Sequence, residues 1–166
     1  MNYGVRAAAL TAALVTALAV GLPRAAIAMG DSPNMPAPPA ADDAALLYRF
    51  GIQAIEAKEY DRGIALMNEV LRQEPKNANA FNYLGFAYRQ KNDLKTAAGY
   101  YETALKIDAN HRGALEYQGE MFLKMDRPAD AQKNQARLKT LCPQGCEELE
   151  DLEDAIADYQ KAHTHS

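Results

Sequence analysis

From Asp43 onward, apolar residues recur every three or four positions, the spacing that places them on one face of an α-helix. In the first segment this stripe is formed by Leu47, Phe50, Ala54 and Ala57. Short polar breaks such as 74–77 separate the helical segments, and the proline in that break cannot continue a helix. Because β-branched runs do not occur in this region, the pattern predicts an all-α domain.

The helical pattern repeats at a fixed interval. Gly51, Gly85 and Gly119 are evenly spaced along the chain, and Ala or Gly recurs at the same interval at 63, 97 and 131. The aligned positions are Leu47, Phe50, Gly51, Ala54, Gly63, Met67 and Val70 in the first unit, Phe81, Leu84, Gly85, Tyr88, Ala97, Tyr101 and Ala104 in the second, and Leu115, Gln118, Gly119, Phe122, Ala131, Gln135 and Leu138 in the third. This pattern resembles the tetratricopeptide repeat (TPR), a pair of helices with a period of about 34 residues.

The resemblance implies a right-handed helical-repeat solenoid of three TPR-like helix pairs. The predicted repeat domain is 43–145, divided into units 44–77, 78–111 and 112–145. Beyond it, 146–162 carries apolar residues on one face and acids on the other, as a terminal capping helix requires. The last four residues, 163–166, are predicted to be a tail.

Two details of the third unit differ from the pattern. Gln118 and Gln135 stand where Leu and Phe are expected, so this unit should bury less apolar surface.

Asp93 and Asp126 precede the second helices of the second and third units, where a side-chain oxygen can cap free amides. Pro128 should lie in the first turn of its helix.

The N-terminal segment predicts export. Residues 1–28 contain a basic start, an uncharged apolar run and the small residues Ala26 and Ala28, which together are typical of a signal peptide cleaved near Ala28. Residues 29–42, rich in Pro and Ala, are predicted to be a disordered leader. The mature protein is therefore expected to be periplasmic or secreted, with no stable membrane span after cleavage.

Cys142 and Cys146 are the only cysteines. In an exported chain such a pair usually forms a disulfide, which would fasten the capping helix to the last repeat. Redox signalling, free thiols and metal binding are the alternatives. The segment Leu-Cys-Pro-x-Gly-Cys-Glu-Glu also resembles the ending of small exported bacterial repeat proteins.

The net charge and the available side chains reduce the number of function classes that the sequence favours. Without Arg6 and Arg24 of the predicted signal peptide, the chain has 16 basic and 22 acidic residues, a net charge of −6, and nucleic acid is not an expected partner. Serine occurs only at Ser32 and Ser166, there is no glycine-rich phosphate loop, and carboxylates are spread over helix surfaces. The sequence therefore predicts neither an enzyme nor a cofactor or metal site.

The TPR resemblance implies a concave groove, lined by the first helix of each unit, that binds a protein or peptide. Carrying the family's positions over gives Tyr48, Ile52, Ile55, Asn79, Asn82, Phe86, Arg89, Glu116, Glu120 and Leu123. Chaperone-binding members hold a terminal carboxylate with Lys, Asn, Asn, Lys and Arg. The matching positions contain none of these and are Tyr48, Ile52, Tyr83, Gly113 and Tyr117. The sequence predicts that this clamp is absent.

These observations favour a periplasmic scaffold or adaptor that binds another protein through its groove. Two alternatives stay open. The chain could instead assemble with itself into a homo-oligomer, or act as a redox or assembly accessory through Cys142 and Cys146.

Overall fold

The computed structural model describes residues 43–164. The predicted signal peptide (1–28), the leader (29–42) and the last two residues lie outside this range. Residues 43–164 form seven α-helices and no strand, which confirms the predicted helical-repeat fold. The helices are α1 (Ala44–Glu56), α2 (Tyr60–Gln73), α3 (Ala78–Gln90), α4 (Leu94–Ile107), α5 (Arg112–Lys124), α6 (Pro128–Leu141) and α7 (Glu147–His163).

The turns inside the three helix pairs share one backbone conformation. Lys58, Asn92 and Asp126, which occupy the same position in successive units, have φ of 63°, 63° and 57°. The amide after each of them donates to a carbonyl five residues earlier, as in Asp93 N–H to the Tyr88 oxygen at 2.9 Å. This is the left-handed helix ending known as the Schellman motif. It reverses the chain in the same way in every pair.

Helix caps agree with the sequence in part. The Asp93 carboxylate accepts a hydrogen bond from the Thr96 amide at 3.1 Å, which confirms it as the cap of α4. The prediction for Asp126 was wrong, because Asp126 is the left-handed turn residue and Arg127 occupies the cap position of α6. The Asp126 carboxylate instead accepts a hydrogen bond from the Tyr159 hydroxyl. Pro128 begins α6, as predicted.

Close packing inside the pairs depends on glycine. A Cβ placed on Gly85 would lie 2.6 Å from a ring carbon of Tyr101, which is fully buried. The same position in the first pair, Gly51, faces Met67 of α2. In these two pairs, a large side chain of the second helix therefore fills the space above the glycine of the first.

The third pair is completed by α7. A Cβ on Gly119 would lie 2.6 Å from Cδ1 of Leu152, a fully buried residue of α7. Leu149, Leu152 and Ile156 pack with Leu115 and Leu138 in one buried cluster. The capping helix thus supplies the apolar side chain that position 135 lacks.

The two glutamines of the third unit have polar partners. Gln118 is 7% exposed, and its Oε1 accepts a hydrogen bond from Asn134 Nδ2 at 3.0 Å. Asn134 Nδ2 also donates to the Leu115 carbonyl at 2.9 Å. Gln135 donates to Glu153 of α7 at 3.3 Å. Buried polar groups cost little when they are hydrogen-bonded, so this unit tolerates Gln118 in its interior.

Cys142 follows α6, Cys146 precedes α7, and the two form a disulfide with Cα atoms 5.9 Å apart. Between them, Gly145 takes φ of 93°, which glycine adopts without strain.

Within the described residues, no helix combines the length and apolar character needed to cross a membrane.

Candidate protein-binding groove

The first helices of the three pairs, α1, α3 and α5, lie side by side and present a row of aromatic side chains. Tyr48 of α1 meets Tyr83 of α3 edge to face, with ring centres 5.7 Å apart. Phe86 of α3 meets Tyr117 of α5 at 5.0 Å. All four rings are half-buried, so each keeps surface that a ligand can cover.

Two pockets adjoin along this row, because both are lined by Tyr83 and Tyr117. We call the first the aromatic pocket. It has a volume of about 310 Å³, and Tyr60, Phe86 and Ile55 complete its apolar lining. The two pockets together are called the groove below.

The second, which we call the acidic pocket, has a volume of about 280 Å³. Four carboxylates line it: Glu116 of α5 and Glu147, Glu148 and Asp151 of α7. The amides of Asn79 and Asn82 and the ring of Tyr48 form other parts of its wall. The expectation that carboxylates are spread over helix surfaces is therefore wrong at this place, where the packing of α7 against α5 brings four of them together.

Glu116 is the most buried of these acids, at 6% exposed. Burial, followed by the nearby Glu120 and Asp151, raises the pKa of its carboxyl to about 8, although Arg89 opposes the shift. Desolvation and like charges both disfavour an ionised carboxylate. Burial and the like charges nearby therefore favour the protonated form of Glu116 in the free protein.

His111 lies in the turn before α5 and lines the acidic pocket without adding positive charge. Its Nδ1 accepts a hydrogen bond from the Ala114 amide at 3.1 Å, so Nε2 carries the proton and donates to Asn79 Oδ1 at 2.9 Å. Burial lowers the pKa of the imidazole, which favours this neutral form.

Arg89 lines neither pocket and is buried against two of the aromatic rings of the groove. It is 4% exposed, forms an ion pair with Glu120, and lies 5.2 and 5.4 Å from the ring centres of Phe86 and Tyr117. These contacts hold the two rings in place through cation–π attraction. Arg89 thus fixes the floor of the groove.

The structure divides the predicted groove residues into three sets. Tyr48, Asn79, Asn82 and Glu116 line the acidic pocket. Ile55 and Phe86 line the aromatic pocket. The lining of the two pockets does not include Ile52, Arg89, Glu120 or Leu123, and Leu123 is buried in the cluster that α7 closes. The binding role of the ten residues stays a prediction.

Sequence reasoning missed Tyr83 and Tyr117 as groove residues. Both occupy positions of the carboxylate clamp and are one repeat apart, so the repeat period carried a signal for them. Glu147, Glu148 and Asp151 carried no such signal, because α7 lies outside the period. Among residues 43–164, no three His, Cys, Asp or Glu side chains are arranged to hold a metal ion.

The helix pairs and their turns, repeated at one constant period, define a helical-repeat protein. The sequence model described as tetratricopeptide repeat matches residues 78–111, which contain α3 and α4. A search of curated protein sequences finds no match.

Several solved structures share this fold. The TPR domain of Arabidopsis OM64 gives a TM-score of 0.63 at 16% identity, covering 72% of this chain and 98% of that domain. The TPR2B domain of yeast Sti1, in a complex with pHsp70, gives 0.65 at 11% identity, with coverages of 72% and 98%. The first TPR domain of Spaghetti (RPAP3), bound to the HSP90 peptide SRMEEVD, gives 0.60 at 19% identity, with coverages of 71% and 96%. At these identities the likeness concerns the fold.

Proposed function

We propose that this protein is an exported scaffold or adaptor that binds an extended segment of a partner protein in the groove. The observation that carries the proposal is the aromatic row Tyr48, Tyr83, Phe86 and Tyr117, which lines two adjoining pockets. Large, partly buried aromatic rings are the side chains that most often dominate the energetics of protein interfaces.

The fold supports the same proposal. TPR domains of the same architecture have been solved with a bound HSP90 peptide and in a complex with pHsp70. In this chain the residues that line the groove lie mainly on packed helices, so the groove itself needs little ordering when a partner binds. The proposed role is binding without catalysis.

The test uses affinity capture from a periplasmic extract with the protein produced from its full gene. Wild-type protein and Tyr83→Ala are compared, and Tyr100→Ala on α4 is the matched control because Tyr100 lines neither pocket. We expect Tyr83→Ala to lose the captured partner while Tyr100→Ala retains it. Equal capture by all three proteins, with helicity unchanged, would contradict the proposal.

The same samples test self-assembly. Size-exclusion chromatography with light scattering gives the mass of the wild-type protein over a range of concentrations. A mass that doubles with concentration and stays at the monomer value in Tyr83→Ala would identify a second copy as the groove's occupant.

A further inference from the structure

The carboxylates of the acidic pocket are not matched by an equal number of cationic side chains nearby. Of its four carboxylates, Glu148 is paired with Arg112 at 3.4 Å, whereas Glu116, Glu147 and Asp151 form no ion pair within residues 43–164. His111 is neutral, and Arg89 is engaged by Glu120. The positive end of the α7 dipole accounts for acids in its first turn, Glu147 and Glu148, but not for Asp151 or Glu116.

Glu116 is the independent sign of a missing partner. Its side chain is more than nine-tenths buried, lines the pocket, and accepts no hydrogen bond from another residue in the described part of the chain. Burial and neighbouring acids raise its pKa to about 8. These effects disfavour the ionised carboxylate, and a cation placed beside it offsets them.

The rest of the lining offers one free hydrogen-bond acceptor and three aromatic rings. Asn82 is 5% exposed, and its Oδ1 has no hydrogen-bond partner among residues 43–164. Tyr48, Tyr83 and Tyr117 surround the pocket with aromatic rings. A guanidinium brings five donors and no acceptor, an ammonium brings three donors, and both are attracted to aromatic faces.

We propose that the acidic pocket receives an arginine or lysine side chain of the partner's segment, while an apolar side chain of the same segment occupies the aromatic pocket. Glu116 and Asp151 contact the cationic group, and Tyr83 and Tyr117 lie between the two bound side chains. This inference rests on the proposed function, since it names the chemistry of the segment that the groove binds. A segment with an acidic side chain at this position is repelled.

Fluorescence polarisation with defined peptides tests the inference. The probes are three short labelled peptides, capped at both ends and identical except for a central Arg, Gln or Glu between leucines. The protein is purified from cells that express the full chain. We expect the Arg peptide to bind about tenfold more tightly than the Gln peptide, and the Glu peptide to bind most weakly.

Variants assign the effect to the pocket. Glu116→Gln/Asp151→Asn should weaken binding of the Arg peptide by about tenfold and leave the Gln peptide unchanged. Glu102→Gln/Asp154→Asn is the matched control, since it makes the same two kinds of substitution at exposed positions of α4 and α7. Added salt should weaken binding of the Arg peptide and leave binding of the Gln peptide nearly unchanged.

Three outcomes overturn the inference: equal affinity for the Arg and Gln peptides, preference for the Glu peptide, or no binding of any peptide. Loss of the charge preference with binding that still depends on Tyr83 leaves the proposed function intact. Peptide binding that is insensitive to Tyr83→Ala counts against the groove itself, and so against both proposals.

Discussion

Glu116 is a carboxylic acid held where its ionised form is disfavoured. The groups that act on it are Glu120 on its own helix, Arg89 on α3, and Glu148 and Asp151 on α7. The folded state binds the Glu116 proton more tightly than the unfolded chain, in which the pKa is near 4.5. Its contribution to stability is therefore intact below pH about 4.5 and is lost as the pH rises toward about 8.

Glu116→Gln should remove this loss. We expect the variant to gain about 2–3 kcal/mol over the wild type as the pH rises from about 5 to about 8, because glutamine cannot ionise. Urea unfolding at a series of pH values measures the difference. Glu102→Gln, an exposed glutamate of α4, should show no such trend. Parallel curves for Glu116→Gln and wild type would mean that the carboxylate is compensated in the folded state.

Single residues also show what the sequence could predict. Asp93 is predictable as a cap, because an acidic side chain just before a helix can accept a hydrogen bond from one of the first helical amides. The repeat period aligns Asp126 with Asn92, the left-handed turn residue, and aligns Arg127 with Asp93. The repeat alignment therefore predicts that Asp126 lies in the turn. The Arg89–Glu120 pair had no local signal, since it joins two different units.

At the scale of elements, α7 completes the third repeat as well as covering it. Its apolar stripe was predictable from helical spacing, but its contact with Gly119 was not. The period suggests position 135 as the partner of Gly119, and Gln135 is directed to Glu153 instead. Leu152 fills that space from outside the period. Contacts made by a non-repeating element cannot be derived from the repeat.

Gly119→Ala tests this packing. The added methyl group would meet Leu152, so we expect a loss of about 1–3 kcal/mol in the free energy of unfolding. Gly99→Ala on α4 is the control, because a Cβ there meets nothing within 4 Å and should stabilise the helix by about 0.5–1 kcal/mol. Urea unfolding measures both.

A double-mutant cycle makes the assignment specific. Leu152→Ala alone should cost about 2–5 kcal/mol, since Leu152 is fully buried. In that background Gly119→Ala should cost much less, because the space that Leu152 occupied is free. Additive effects would show that α7 is not the element that limits position 119.

At the scale of the whole molecule, the disulfide connects stability to the cell compartment. Cys142 and Cys146 bracket the turn into α7, the helix that completes the third repeat and supplies three acids of the acidic pocket. Disulfides persist in oxidising compartments and are rare in the cytosol. Under the proposal that residues 1–28 direct export, α7 is fastened only after the chain leaves the cytoplasm.

This proposal predicts a processed and oxidised protein. Expressed from its full gene, the chain should be recovered from the periplasm with an intact mass that begins near Met29 and with both cysteines protected from thiol labelling. Reduction should then lower the free energy of unfolding by about 2 kcal/mol, a modest amount because the bond closes a short turn. Cys142→Ser/Cys146→Ser should be insensitive to reductant, and its stability should equal that of the reduced wild type. Recovery of an unprocessed chain with free thiols would contradict export, whereas an oxidised chain whose stability does not change on reduction would show that packing alone holds α7 in place.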